Sequence, residues 1–250
     1  MIATIQHKGE TYKVDLSHPM SIAIPVQHQK GARAWYQDFP QITPVVMGEW
    51  IGEVRQGGSV NFKNVFFNPH AHCTHTECVG HITPEFVSIL QTLKNYFFKA
   101  KLISVLPEYL PNGDKVITKQ CLIPHLNDDP IIDALIIRTI PNDDRKLFEN
   151  YSNTNPVYVS KNAVEYLLEK KVQHLILDVP SIDKEKDDGK LEAHKYFWNY
   201  PQEKFSLRTI TELAYIPNSI LDDWYFLNLQ IAPIDNDATP SNPVLYRILM

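Results

Sequence analysis

Between Asn68 and His81 the chain gathers most of its lone-pair chemistry. The stretch Asn68-Pro69-His70-Ala71-His72-Cys73-Thr74-His75-Thr76-Glu77-Cys78-Val79-Gly80-His81 carries four of the ten histidines, two of the three cysteines and a carboxylate. Imidazole, thiol and carboxylate are the side chains that ligate a transition ion, so the segment predicts a metal site. If it runs extended near its middle, His75 and Glu77 lie two residues apart and point to one face. His81, four residues beyond Glu77, reaches the same place through one helical turn or a bend at Gly80. His70 and His75 have opposite parity, which requires a bulge or loop between them. The helical H-E-x-x-H spacing is absent. The competing use of the same residues is a closed structural zinc site made by Cys73, Cys78 and two histidines, but no second C-x-x-C follows.

A chain of 250 residues is at the upper size for one hydrophobic core, and no linker interrupts it, so a single domain over 1–250 is expected. Hydrophobic residues make up 44% and charged residues 21%, enough to bury a core with a pocket inside it. The net charge of −5 is modest and the lysines are scattered, which argues against nucleic acid or an anionic membrane as partner and for a small-molecule substrate. No secretory signal and no apolar run of membrane-spanning length is visible, so the expected location is cytoplasmic. Three cysteines, two of them in the cluster, do not make a disulfide framework.

Along the chain, residues 2–6 and 11–16 alternate around Gly9-Glu10 as a hairpin does. Residues 15–25 are extended and punctuated by proline. Residues 31–44 read as a loop whose Trp35, Tyr36 and Phe39 could line a pocket for a flat substrate. Ser59 to Phe67 reads as a strand that delivers the chain to the histidine cluster. Thr83 as N-cap, Pro84 and Glu85 then predict a helix with the apolar stripe Phe86, Ile89, Leu90, Leu93 and Phe97. Residues 102–106, 116–122 and 133–138 are predicted strands. Ser160 starts a helix that leads to the buried strand at 174–179 in a β-α-β passage. Asp178-Val179-Pro180-Ser181-Ile182-Asp183 follows at a strand's carboxyl end, a favoured place for a site, and Ser181 is a candidate substrate contact. Lys184 to Lys190 reads as a solvated mobile loop. Late strands are expected at 209–213 and 224–231. Glu212, among apolar neighbours, needs a cation or donor there.

The run His70-x-x-x-Thr74-His75-Thr76-Glu77-x-x-x-His81 resembles the signature of the metal-dependent cyclase and hydrolase family that includes bacterial kynurenine formamidase and isatin hydrolase. Asp15-Leu16-Ser17-His18-Pro19 is similar to that family's first strand motif, and residues 178–183 are similar to its D-T-P-S-x-D segment. The resemblance runs from about residue 12 to the end. It implies a mixed α/β fold, a β-sandwich or barrel-like sheet flanked by helices, in a chain that pairs as a homodimer or higher homo-oligomer. It implies that His70, His75 and Glu77 hold a divalent metal, zinc or manganese. His194 and Glu212 then complete that site or hold a second ion bridged by Glu77, and His81 transfers protons. Four departures stand out: one extra residue between His70 and His75, Cys73 for Gly, Glu77 for Asp, and Val79 for Pro. Cys73 as a thiolate ligand would favour zinc.

The expected activity is hydrolysis of an amide, lactam or ester in a small cyclic or aromatic substrate by metal-activated water, with His81 moving the proton. Its rivals are a nucleophilic hydrolase using Ser181 or Cys73, which no G-x-S-x-G elbow supports, and a non-catalytic metal- or ligand-binding protein that keeps the fold.

Overall fold

The computed structural model describes residues 1–129 and 131–249. Its centre is a closed seven-stranded barrel. The strands run in the order Ala238–Leu249, Trp224–Ile231, Phe97–Val105, Ala134–Thr139, His174–Leu177, Thr209–Glu212 and His75–Glu77, and the last pairs back onto the first. The four strands from Phe97–Val105 to Thr209–Glu212 are mutually parallel. Parallel neighbours need long crossovers, and each crossover here carries a helix: Lys119–Leu126, Lys161–Glu169 and Glu192–Trp198.

Strand periodicity divides the apolar residues between two cores. Leu135, Ile137, Leu175 and Leu177 pack with Leu122, Leu167, Phe197 and Trp198, between barrel wall and helices. Ala134, Ile136 and Ile176 face the other way and pack with Leu102, Leu227, Leu229 and Leu245 inside the barrel. A strand buried on both faces reads as an unbroken apolar run, as Ala134–Ile137 does, and Ala134–Thr139 is buried throughout.

The opening hairpin forms as expected from Ile2–His7 and Glu10–Asp15, with Lys8 and Gly9 both at positive φ as a tight primed turn requires. The predicted strand before the histidine cluster is confined to Lys63–Phe66 and pairs with Gln41–Pro44, outside the barrel, with all four of its residues exposed.

The helix predicted from Thr83 does not form. The Thr83 hydroxyl donates to the Glu85 carbonyl instead of accepting a helical N–H. Residues 83–87 fold back on the turn at Gly80, whose hydrogen faces the Val87 carbonyl so closely that a Cβ would stand 2.1 Å from it. One helical turn, Ile89–Thr92, remains, capped by Ser88. Ile89 and Leu93 are buried, whereas Phe86 is 65% exposed and Phe97 opens a strand, so tertiary contacts override the helical spacing at both ends of the stripe. The strand expected at 116–122 stops at Ile117, and Thr118 begins the helix Lys119–Leu126.

The expected mobile loop at 184–190 is tied down at its start. Lys184 Nζ donates to Asp114 at 2.8 Å, and Glu185 accepts from the Asn153 N–H at 2.6 Å and the Tyr36 hydroxyl at 3.0 Å. Sequence periodicity also passes over the longest strand, Ala238–Leu249, because Pro240 and Pro243 interrupt it. Its first residues pair with His75–Glu77 and its middle with Trp224–Ile231, which closes the barrel. Among the described residues no helix is long and apolar enough to cross a membrane.

Candidate metal centre

His75 and Glu77 occupy the strand His75–Glu77, opposite Glu212 and Ile210 of the neighbouring strand. Residues directly opposite share a face. That face is the helix-covered one, since Ile210 packs with Phe197 and Trp198. Thr76 and Thr211 point to the other face and hydrogen-bond to each other at 2.7 Å. The parity problem between His70 and His75 is solved by a turn of helix, Pro69–His72, whose N-cap Asn68 accepts from the His70 N–H. Gly80 lies in a 3-10 turn, Val79–His81, that returns His81 over Glu77.

Four imidazoles thus surround one fully buried carboxylate. Glu77 Oε2 stands 3.1 Å from His70 Nδ1 and 4.0 Å from both His75 Nε2 and His81 Nε2, while Oε1 is 3.0 Å from His194 Nε2. Glu212 adds a second carboxylate, 3.5 Å from His75 Nε2 and 3.8 Å from His194 Nε2. Its other contact answers the desolvation problem posed by the sequence: Oε1 accepts the Ile182 N–H at 2.7 Å. His70, His75, Glu77, His81, His194 and Glu212, distant in sequence, are therefore brought to one place.

The donor set fits a cation on an independent ground. His75 Nδ1 lies 3.0 Å from the Cys73 carbonyl, which can only accept, so Nδ1 carries the proton and Nε2 presents a lone pair. That lone pair faces two carboxylates, and His75 Nε2 is buried without a hydrogen-bond partner. Acceptors turned on one another out of reach of water are costly unless something positive lies between them. Two donor atoms each about 2.1 Å from a tetrahedral ion stand about 3.4 Å apart, close to the His75–Glu212 separation. Two triplets, His70–Glu77–His81 and His75–Glu77–Glu212, each have ligand atoms within 4.8 Å of one another, and they share Glu77.

Without an ion, protons occupy part of this set. Burial alone would push His194 down, but its hydrogen bonds to Asp183 and Glu77 prevail and hold it up at about 10. His70 shows the same balance against Asp237 and Glu77 and also stands at about 10. Burial would raise Glu77, yet His81, His194 and His70 hold it well below the usual carboxylate range. An ion held by His70 and His194 at neutral pH would have to displace the protons on both. Affinity is expected to tighten by about ten-fold per displaced proton for each pH unit between about 6 and 8, with matching proton release in weak buffer. A zinc affinity that is flat with pH contradicts this reading.

Asp183 fixes His194. Its carboxylate accepts the backbone N–H groups of Ala193 and His194 at the start of the helix Glu192–Trp198 and lies 2.7 Å from His194 Nδ1. The remaining nitrogen, Nε2, is thereby aimed at Glu77. Asp178, five residues earlier, serves elsewhere: it binds Lys146 at 2.6 Å and Thr139, at a separate cavity. Ser181 is buried and accepts the Asp183 N–H, a turn-forming role.

Cys73 donates weakly to the Pro69 carbonyl, and burial pushes its thiol up to about 12. Cys78 donates to the Val87 carbonyl, with burial raising it to about 11. Neither thiol belongs to the ligand triplets. Among the described residues neither Cys73 nor Ser181 is hydrogen-bonded to a histidine, so the nucleophilic arrangement is not formed.

A cavity of about 610 Å³ adjoins the cluster, lined by Tyr36, Phe39, Phe66, Phe67, His70 and Asp237 among others. Trp35 is half-buried and does not line it; its neighbours Tyr36 and Phe39 do. His72 lines it as well. The Asn68 N–H donates to His72 Nδ1, which leaves the proton on Nε2, buried and turned toward the Asp38 backbone carbonyl. The sequence drew no attention to Asp237. It precedes a strand hidden by its prolines, and only the polar run Asp235-Asn236-Asp237 marks the spot.

Fold and cluster together define a mixed α/β barrel with a ligand set for a divalent ion. The chain belongs to the family described as "Putative cyclase", whose sequence model matches residues 14–184, more than half of the 250. Among solved structures it is similar to a potential metal-dependent hydrolase with cyclase activity, with a TM-score of 0.65 and 16% identity over 92% of this chain and 97% of the other. A predicted metal-dependent hydrolase from Bacillus stearothermophilus gives 0.62 and 18%, over 92% and 98%. Isatin hydrolase A from Ralstonia solanacearum gives 0.62 and 11%, over 92% and 91%. At these identities the likeness is one of fold. A comparison with curated proteins finds none that matches.

Proposed function

We propose that this chain is a metal-dependent hydrolase that opens an amide, lactam or ester bond in a small cyclic or aromatic substrate. The observation that carries the reading is the pair of ligand triplets meeting at Glu77, with His75 Nε2 buried and unpartnered, beside an aromatic-walled cavity. The cyclase-family membership and the hydrolase neighbours support it. His70, His75, Glu77, His194 and Glu212 would hold one or two divalent ions, and imidazole with carboxylate suits zinc or manganese. When bound, the metal supplies Lewis acidity that polarises a scissile carbonyl and lowers the pKa of attacking water.

The chain's own groups supply the rest. His81, with its side chain 31% exposed, is the most open imidazole of the cluster, so its Nε2 can take a proton from water and return it to the leaving group. Tyr36, Phe39 and Phe66 present flat apolar walls that suit a ring and displace water from it. The exposed apolar side chains of the arm before the cluster, Val46, Met47, Phe62, Val65 and Phe66, support a homodimer or higher homo-oligomer.

The test is a panel of aryl formamides, lactams and lactones, assayed before and after chelation and after zinc or manganese is restored. Hydrolysis that is lost on chelation and recovered with metal is expected. Activity that survives complete metal removal would sink the proposal.

A further inference from the structure

Asp237 occupies the turn that leads into the closing strand, and its backbone is held at both ends of the cluster. Its carbonyl accepts the Cys78 N–H at 3.1 Å, and the carbonyl of Asn236 accepts the Ile89 N–H at 2.9 Å. The carboxylate is thereby fixed beside the 3-10 turn that carries His81. One of its oxygens, Oδ2, lies 2.9 Å from His70 Nε2 and 3.3 Å from His81 Nδ1.

An ionised carboxylate only accepts, so the ring nitrogen facing it must carry hydrogen in each histidine. In His81 that leaves Nε2 to present a lone pair, 4.0 Å from Glu77 Oε2. His70 lies between two carboxylates, and its Nδ1, 3.1 Å from the same Glu77 oxygen, is the nitrogen that presents a lone pair once its proton leaves. The two rings are stacked with centroids 4.3 Å apart, so neither can turn without disturbing the other.

We propose that Asp237 is a positioning residue that, through one oxygen, keeps hydrogen on His70 Nε2 and His81 Nδ1, so that the opposite nitrogens, the ones left to release a proton or present a lone pair, converge on Glu77. What those nitrogens then do rests on the hydrolase reading above; the tautomer selection does not. The effect on a bound ion is indirect, of the kind exerted by carboxylates that orient ligating histidines.

The experiment uses the full chain, labelled with 15N, as the parent and as Asp237→Ala and Asp237→Asn. Long-range 15N–1H correlation on the metal-free proteins reads which nitrogen of His81 carries hydrogen, and zinc alone, titrated against a competing chelator, reads affinity. The parent is expected to carry hydrogen on His81 Nδ1. In Asp237→Ala that preference should be lost, and zinc should bind about 10- to 100-fold more weakly. Asp237→Asn keeps an acceptor oxygen, so it should retain more of the Nδ1–H form than Ala. A parent His81 without hydrogen on Nδ1, or a His81 pattern unchanged in Asp237→Ala, overturns the proposal, whatever happens to thermal stability. If the parent takes up no zinc, the hydrolase reading fails, and the His81 signals still decide the role of Asp237.

Discussion

Replacement of Glu77 by Gln is expected to abolish tight metal binding while the chain stays folded. Gln matches Glu in volume, so the fully buried site keeps its packing, and the change is one of charge. In the metal-free protein the imidazolium groups of His70 and His194 lose their common partner, but each can release its proton instead of remaining as an unpaired buried cation. A divalent ion has no such escape. Both triplets lose their shared anionic member, and only Glu212 remains as a carboxylate. We expect zinc affinity to fall by at least about 100-fold, equivalent to roughly 3 kcal/mol. Competition with a chromophoric chelator measures the affinity, and circular dichroism checks the fold. Retention of the parent's affinity would show that Glu77 is not a ligand.

His81→Ala should separate chemistry from binding. The ring stacks on His70 at the open edge of the cluster, and its Nε2 stays 4.0 Å from Glu77, farther than His70 or His194. Removal of a general acid–base group lowers turnover by about 10²- to 10⁴-fold. Metal stoichiometry should not change, because His70, His75, Glu77, His194 and Glu212 remain. A parallel loss of metal and turnover would make His81 a ligand in the triplet it forms with His70 and Glu77, and would refute its assignment as the proton carrier.

The legible part of this molecule was the part governed by short-range rules. Alternation placed His75 and Glu77 on one face, the parity of His70 required a bulge or loop, which the turn at Pro69–His72 supplies, and the apolar runs within 133–138 and 174–179 marked strands that prove to be Ala134–Thr139 and His174–Leu177. What escaped depended on partners far away in sequence. The Thr83 start has good capping chemistry, yet packing of residues 83–87 against Gly80 prevails over it. The closing strand is held by pairings with residues 13–14, 20–21, 75–77 and 225–231, and those outweigh its two prolines. Asp237 was missed for the same reason: a lone Asp acquires meaning only from what the fold puts opposite it.

Metal content of the protein purified without chelator, measured beside the double variant His75→Ala/Glu77→Ala, tests the central claim most directly. One or two equivalents of zinc or manganese per chain are expected, absent from the variant. A parent that holds no metal even after reconstitution would contradict it, and would leave this barrel with its histidines and carboxylates joined by protons alone.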